Sequence, residues 1–129
     1  MATMIERIET AAAPLPAGHY SQAIKANGFV FVSGQLPFPP GSKRILPDGI
    51  AAQARQCLEN LQAILDAAGT TLENLVSVQI FIPDVALWAE VNAVYESVMG
   101  AARPARTVVP TTALHYGALI EVNAVALCP

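Results

Sequence analysis

Two hydrophobic rhythms lie back to back in the middle of this chain, and together they restrict it to a mixed fold. Ile50, Ala54, Cys57, Leu58, Leu61, Ile64, Leu65 and Ala68 keep the i, i+3, i+4, i+7 spacing of one helical stripe. Gln53, Arg55, Gln56, Glu59, Asn60, Gln62 and Asp66 fall mainly outside it. Asp48 is placed to cap this helix near residue 49 or 50, and Gly69 to end it. A few residues later the period becomes two. Val76, Val78, Ile80 and Ile82 share one face of a strand, and Leu75, Ser77, Gln79 and Phe81 share the other. A helix that must bury a stripe, followed by a strand that must bury a face, calls for a helix layer on a sheet.

The flanking segments extend that layer. Residues 20–26 and 29–33 read as strands joined at Asn27-Gly28, a strong signal for a type I′ hairpin. Pro37, Pro39, Pro40, Gly41 and Pro47 exclude helix and central strand from residues 36–49. Asp84 opens a second helix that runs to about residue 99, with Trp88, Val91, Tyr95 and Val98 on its buried stripe, Asn92 at the border and Gly100 as the stop. Residues 106–109 and 118–127 read as the last two strands. The order is ββ(loop)αβαββ. It predicts an α+β fold, a single mixed sheet with two helices packed on one face, in one domain over residues 1–129.

Composition then bears on what surrounds the sheet. Charged residues make up 13% of the chain, against a usual share of about 25%, which leaves little polar surface for a monomer. The second sheet face carries Ser77, Gln79 and Phe81 beside Leu119, Glu121, Asn123, Val125 and Leu127. That mixture is too apolar for free solvent and too polar for a core, so it predicts an interface between copies with sites along its edge. No apolar run approaches the ~20 residues of a spanning helix, so no membrane role is expected. A net charge of −3 with seven Lys and Arg offers no basic track for nucleic acid. Cys57 and Cys128 lack CxxC spacing and read as reduced structural thiols. The first residues show no apolar h-region, and a cytoplasmic protein is expected. His19 and His115 form no ligand pattern, so no metal is expected.

The chemical signal lies near the C-terminus. Arg106 follows Pro104-Ala105, and Glu121 stands fifteen residues on in an otherwise apolar run. A fixed guanidinium binds a small carboxylate through two parallel hydrogen bonds. A carboxylate a few ångströms beyond it orients a water or moves a proton. Taken singly, each candidate also has an ordinary reading: a salt-bridge arginine, an exposed strand carboxylate, a turn serine at Ser33, and surface roles for Tyr20, Asn92 and His19. No phosphate loop, GxSxG elbow or dinucleotide fingerprint is present.

Several segments together resemble the YjgF/RidA (Rid) family of imine deaminases. They are Gly18-His-Tyr-Ser-Gln22, Val32-Ser-Gly-Gln-Leu-Pro37, Ala52-Gln-Ala-Arg-Gln-Cys-Leu-Glu-Asn60, Val91-Asn-Ala-Val-Tyr95, and Pro104-Ala-Arg106 leading to Ile120-Glu-Val122. The resemblance covers nearly the whole chain in the right order. It implies a fold similar to trimeric chorismate mutase and a homotrimer with clefts between subunits. It also implies catalytic roles for Arg106, which holds a substrate carboxylate, and Glu121, which positions the attacking water. Tyr20, Ser33 and Asn92 match substrate-binding positions of the cleft. The implied substrates are enamines and imines such as 2-aminoacrylate and 2-iminobutyrate, hydrolysed without a cofactor to 2-keto acids and ammonia.

The chain departs from the family pattern at His19, where many members have proline, at Val108, where many have cysteine, and at Thr107 and Val122. His19 thereby becomes a possible modulator beside the cleft. The other classes are a non-catalytic trimer that binds small carboxylates such as 2-keto acids, an aminomuconate-type deaminase, and a chorismate mutase. The last would need several convergent cations, and Arg44, Arg55, Arg103 and Arg106 show no such convergence in sequence.

Overall fold

A computed structural model describes residues 4–41 and 44–129. The elements are β1 (Ile5–Ile8), β2 (Ala23–Ala26), β3 (Phe29–Gln35), α1 (Ile50–Ala68), β4 (Leu75–Ile82), α2 (Trp88–Met99), β5 (Ala105–Pro110) and β6 (Glu121–Leu127). Six strands form one mixed sheet in the order β1-β2-β3-β6-β4-β5. Only β4 and β5 pair in parallel, and α2 makes the crossover between them. The expected α+β layer, two helices packed on a single mixed sheet, is what the chain forms.

Local chemistry accounts for most of the joints. Asn27 and Gly28 both have positive φ, 54° and 82°, as a type I′ turn demands, and Ala26 pairs with Phe29 across it. Gly69 is left-handed at φ 90°, its N–H donates to the Asp66 carbonyl and the Thr70 N–H donates to the Leu65 carbonyl. These two bonds make a Schellman stop. The proline-rich segment forms no helix or strand among its described residues, and Ser42 and Lys43 lie outside them.

Five details differ from the sequence expectation. Asp48 does not cap α1; Gly49 holds the N-cap position with φ 88° and ψ 165°, leaving Asp48 one residue outside the helix. Asp84 caps a 3₁₀ turn, Val85–Leu87, by accepting from the Ala86 N–H at 2.8 Å, and α2 starts only after that turn. β4 pairs with β6 through a register shift between Leu75 and Ser77, so Leu75 turns into the core at 8% exposure and Val76 turns out at 41%. The second and last strands are shorter than 20–26 and 118–127, because residues 20–22 and 118–120 lie outside them. β1 adds an edge strand on β2. Only Ile8 of its four residues is buried, so no period-2 pattern announces it.

The core lies between the helices and one sheet face. Cys57, Leu61, Ile64 and Leu65 of α1 pack with Val30, Val78, Ile80, Ile82 and Val122, all essentially inaccessible. Both cysteines are free thiols and buried. Cys57 donates to the Gln35 carbonyl at 3.2 Å, and Cys128 to that of Ala68 at 3.3 Å. The opposite sheet face keeps Phe31 47% and Leu127 45% exposed, with Phe81, Asn123 and Val125 half-buried beside them. No helix of the described residues is long and apolar enough to cross a membrane.

Candidate functional site

Pairing register, not spacing, decides where the candidate residues point. Arg106 of β5 stands opposite Val78, a fully buried residue of the helix-covered face. Glu121 of β6 stands opposite Phe81, on the open face. Paired residues share a face, so the two charged side chains lie on opposite sides of the sheet. β4 separates their strands. Within one chain the two groups do not meet.

Arg106 is held by α2. Its Nη1 donates to Asn92 Oδ1 at 3.0 Å, and its guanidinium carbon lies 4.7 Å from the ring centres of both Trp88 and Tyr95. Trp88, Asn92 and Tyr95 occupy i, i+4 and i+7 of the helix. The two rings are thus two turns apart on one stripe, the guanidinium fills the gap between them, and the Asn92 amide lies between the rings along that stripe. Asn92 in turn donates to Glu96 Oε1 at 3.2 Å. Burial pushes the Tyr95 phenol up in pKa, with Arg106 acting in the opposite direction. Its hydroxyl is buried without a hydrogen-bond partner among the described residues. The guanidinium borders a cavity that Arg103, Pro104 and Gly100 also line. Asn92 therefore contacts Arg106 directly, and its amide is occupied in orienting the arginine.

Glu121 borders a separate cavity of about 420 Å³ on the other face, with Tyr20, Ser33, Gly34, His115 and Tyr116. A bulge builds it: Val32 pairs with Ala124 and Gln35 with Val122, so Ser33 and Gly34 stand opposite Asn123 alone. The carboxylate of Glu121 lies directly over Gly34, where an added Cβ would stand 3.1 Å from its Cδ. Ser33 Oγ donates to the Ser21 carbonyl at 2.6 Å and fixes the loop that carries Tyr20. Tyr20 is half exposed, its hydroxyl accepting from the Ala17 N–H at 3.3 Å.

The structure brings Tyr20, Ser33 and Glu121 together around one cavity, and Asn92 and Arg106 together beside another. His19 lines a neighbouring cavity with Arg7 and Glu9 instead. The histidine lining the Glu121 cavity is His115, expected from sequence only to lack a metal partner; Tyr116 lines it too, and Trp88 and Tyr95, expected only as core residues of the second helix, hold Arg106. The available signal was Leu114-His115-Tyr116-Gly117 immediately before the last apolar run. No group of three or more His, Cys, Asp or Glu suited to a metal ion occurs among the described residues.

The sequence signature of the family described as Endoribonuclease L-PSP matches residues 10–128. The RutC family protein PH0854 of Pyrococcus horikoshii is 43% identical over 123 residues, 95% of this chain and 98% of that protein. A 2-iminobutanoate/2-iminopropanoate deaminase of Bos taurus is 35% identical over 128 residues, 98% and 93% of the two chains. The crystal structure of RidA from the Antarctic bacterium Psychrobacter sp. PAMC 21119 superposes with a TM-score of 0.90 at 36% identity, over 95% of this chain and 98% of that one. Signature, sequence and architecture agree over the length that carries both groups of residues, and the chain belongs to the Endoribonuclease L-PSP family, the family of the YjgF, RidA and RutC proteins.

Proposed function

We propose that this protein hydrolyses reactive 2-imino and 2-enamino acids, such as 2-iminobutyrate and 2-aminoacrylate, in clefts between the subunits of a homotrimer. The observation that carries this reading is the placement of Arg106 and Glu121 on opposite faces, each beside its own cavity. One chain cannot close such a site. A head-to-tail ring sets the Arg106 edge of one copy against the open face of the next, and it buries Phe31 and Leu127 in doing so. The deaminase name of the bovine relative supports the same chemistry.

In such a cleft the substrate carboxylate takes the free edge of the Arg106 guanidinium. Nη1 is already committed to Asn92 and both ring contacts fix the plane. The Glu121 carboxylate accepts a hydrogen bond from one water and aims its oxygen at the C=N carbon. Water adds, the carbinolamine collapses, ammonia leaves, and a 2-keto acid remains. Imines hydrolyse unaided in water, so orientation and electrostatic stabilisation are sufficient aid. RNA cleavage, which the family description names, would call for a cationic track that a net charge of −3 does not favour.

Binding of small carboxylates without catalysis is the competing reading, and Glu121 separates the two. Glu121→Gln should still bind 2-oxobutyrate through Arg106 but hydrolyse 2-iminobutyrate more slowly, because an amide presents a donor where the water needs an acceptor. Equal rates in the two proteins would remove Glu121 from the mechanism. A wild type that binds the keto acid and leaves imine decay unchanged would make the protein a binding module.

A further inference from the structure

The Glu121 cavity continues into a second one. That second cavity, about 370 Å³, shares Ala17, Tyr20, Gly34, Leu36 and Tyr116 with it and then runs between Pro14, Leu15, Pro16, Phe38 and Pro39. Its volume lies in the ~300–1,000 Å³ range of small-molecule pockets; Leu15, Phe38 and the prolines give it an apolar side, and Gln22, Gln35 and Arg44 line it as well. Gly34, lacking a side chain, borders both cavities at the junction.

The junction is held in an uncommon conformation. Tyr116 and Arg44 both have φ of 62°, in the left-handed region that favours glycine. The Arg44 guanidinium carbon sits 4.4 Å from the centre of the Tyr116 ring, and the ring centres of Tyr116 and Phe38 lie 5.5 Å apart with their planes at 67°. Two residues of left-handed backbone, from the proline-rich loop and from the turn before β6, thus bring their side chains together in the lining of the second cavity. Such strain persists where the surroundings enforce it and concentrates at ligand clamps.

We infer that this second cavity is a side-chain subsite, and that the protein acts preferentially on 2-imino acids with branched or aromatic apolar side chains. The inference rests on the deaminase reading. With the imine carbon at Glu121 and the carboxylate at another copy's Arg106, the substrate's third substituent follows the apolar passage past Gly34 and Tyr116. A methyl or ethyl group leaves most of that space to water. An isobutyl or benzyl group displaces the water and packs on Leu15, Phe38 and the prolines.

The test generates imines in place with an amino-acid oxidase from leucine, phenylalanine and 2-aminobutyrate and compares kcat/KM for the whole 129-residue chain. The expected result is a preference of about tenfold or more for the two bulky imines over 2-iminobutyrate. Leu15 is 62% exposed, so a polar substitution there spares the core; Leu15→Asp should reduce the preference about tenfold, and Leu15→Ser serves if the aspartate variant folds poorly. A wild type that favours 2-iminobutyrate, or a preference untouched in a folded Leu15 variant, overturns the subsite. If no imine is accelerated, the deaminase reading fails on its own. The subsite is then judged by calorimetry with the product analogues: tighter binding of 4-methyl-2-oxopentanoate than of 2-oxobutyrate supports it, and equal or weaker binding overturns it.

Discussion

The guanidinium of Arg106 and the carboxylate of Glu121 face away from each other across one sheet, with β4 between their strands. Any reaction that uses both therefore needs two copies of the chain. Light scattering coupled to gel filtration should give about three chain masses at micromolar concentration, as the proposed head-to-tail trimer requires. A monomer that keeps full activity would contradict the shared cleft.

The same relationship predicts complementation. Arg106→Ala should cost about 2–5 kcal/mol in transition-state binding, or roughly 10²-fold or more in kcat/KM, and Glu121→Gln should also be slow. Mixed by co-refolding, the two inactive proteins should regain activity. In random heterotrimers with head-to-tail symmetry, about one cleft in four receives an intact arginine from one subunit and an intact glutamate from the next. Activity rising toward that fraction is the expected outcome. No gain on mixing, with exchange verified by mass, would place both groups in one subunit's site.

Trp88 is the only tryptophan, and it lies against Arg106, the proposed carboxylate clamp. Binding of 2-oxobutyrate should change its fluorescence saturably, and Arg106→Ala should abolish the change. Arg106→Lys should rescue poorly, since an ammonium can neither make the planar fork nor fill the gap between two rings. Trp88→Leu should weaken analogue binding, measured calorimetrically, by about 0.5–2 kcal/mol. Undiminished affinity in that variant would reduce Trp88 to packing.

What was legible in the sequence is what depends on local periodicity. α1, α2 and the hairpin at Asn27-Gly28 follow from stripes and turn chemistry contained in their own residues. The cap assignments failed by a small margin, because Gly49 and the Val85–Leu87 turn stand between each aspartate and its helix. Val76 and Leu75 exchanged faces because a bulge in the β4–β6 pairing is a property of two strands, not of one. The faces of Arg106 and Glu121 were illegible for the same reason. Their spacing is fixed by sequence, but their side of the sheet is fixed by pairing with Val78 and Phe81. Gly117 marks the turn before β6, but Tyr116 beside it also takes a left-handed conformation, which no glycine at its own position signals.

Cys57 supplies a pH dependence outside the site. Complete burial, with the Glu121 charge adding to it, pushes its thiol well above the ordinary value. An acid whose folded pKa exceeds its unfolded one keeps its proton longer in the native state. Its stabilising contribution is whole below the unfolded thiol pKa, about 8.5, and is lost as pH rises beyond it. Urea unfolding should therefore show falling stability above about pH 9, with a shallower fall in Cys57→Ala even though that variant starts from a lower level. Parallel pH slopes for the two proteins would assign the alkaline loss to other groups.

Gly34 offers the sharpest separation of geometry from fold. It carries no positive φ, so an alanine there is not strained by its backbone; the only obstacle is the Glu121 carboxylate lying across it. Gly34→Ala should fold, and its assembly should match the wild type by light scattering. The carboxylate must shift, and a displacement of an ångström or so in a water-positioning group costs about 10²-fold in rate. Binding of 2-oxobutyrate should be affected less than the rate, because in the proposed cleft its carboxylate is held by the neighbouring copy's Arg106, which Gly34→Ala does not displace. Loss of hydrolysis with retained analogue binding is thus the signature expected of Gly34→Ala. Wild-type hydrolysis in a folded Gly34→Ala protein would mean that the observed position of the Glu121 carboxylate is not the one that acts on the water.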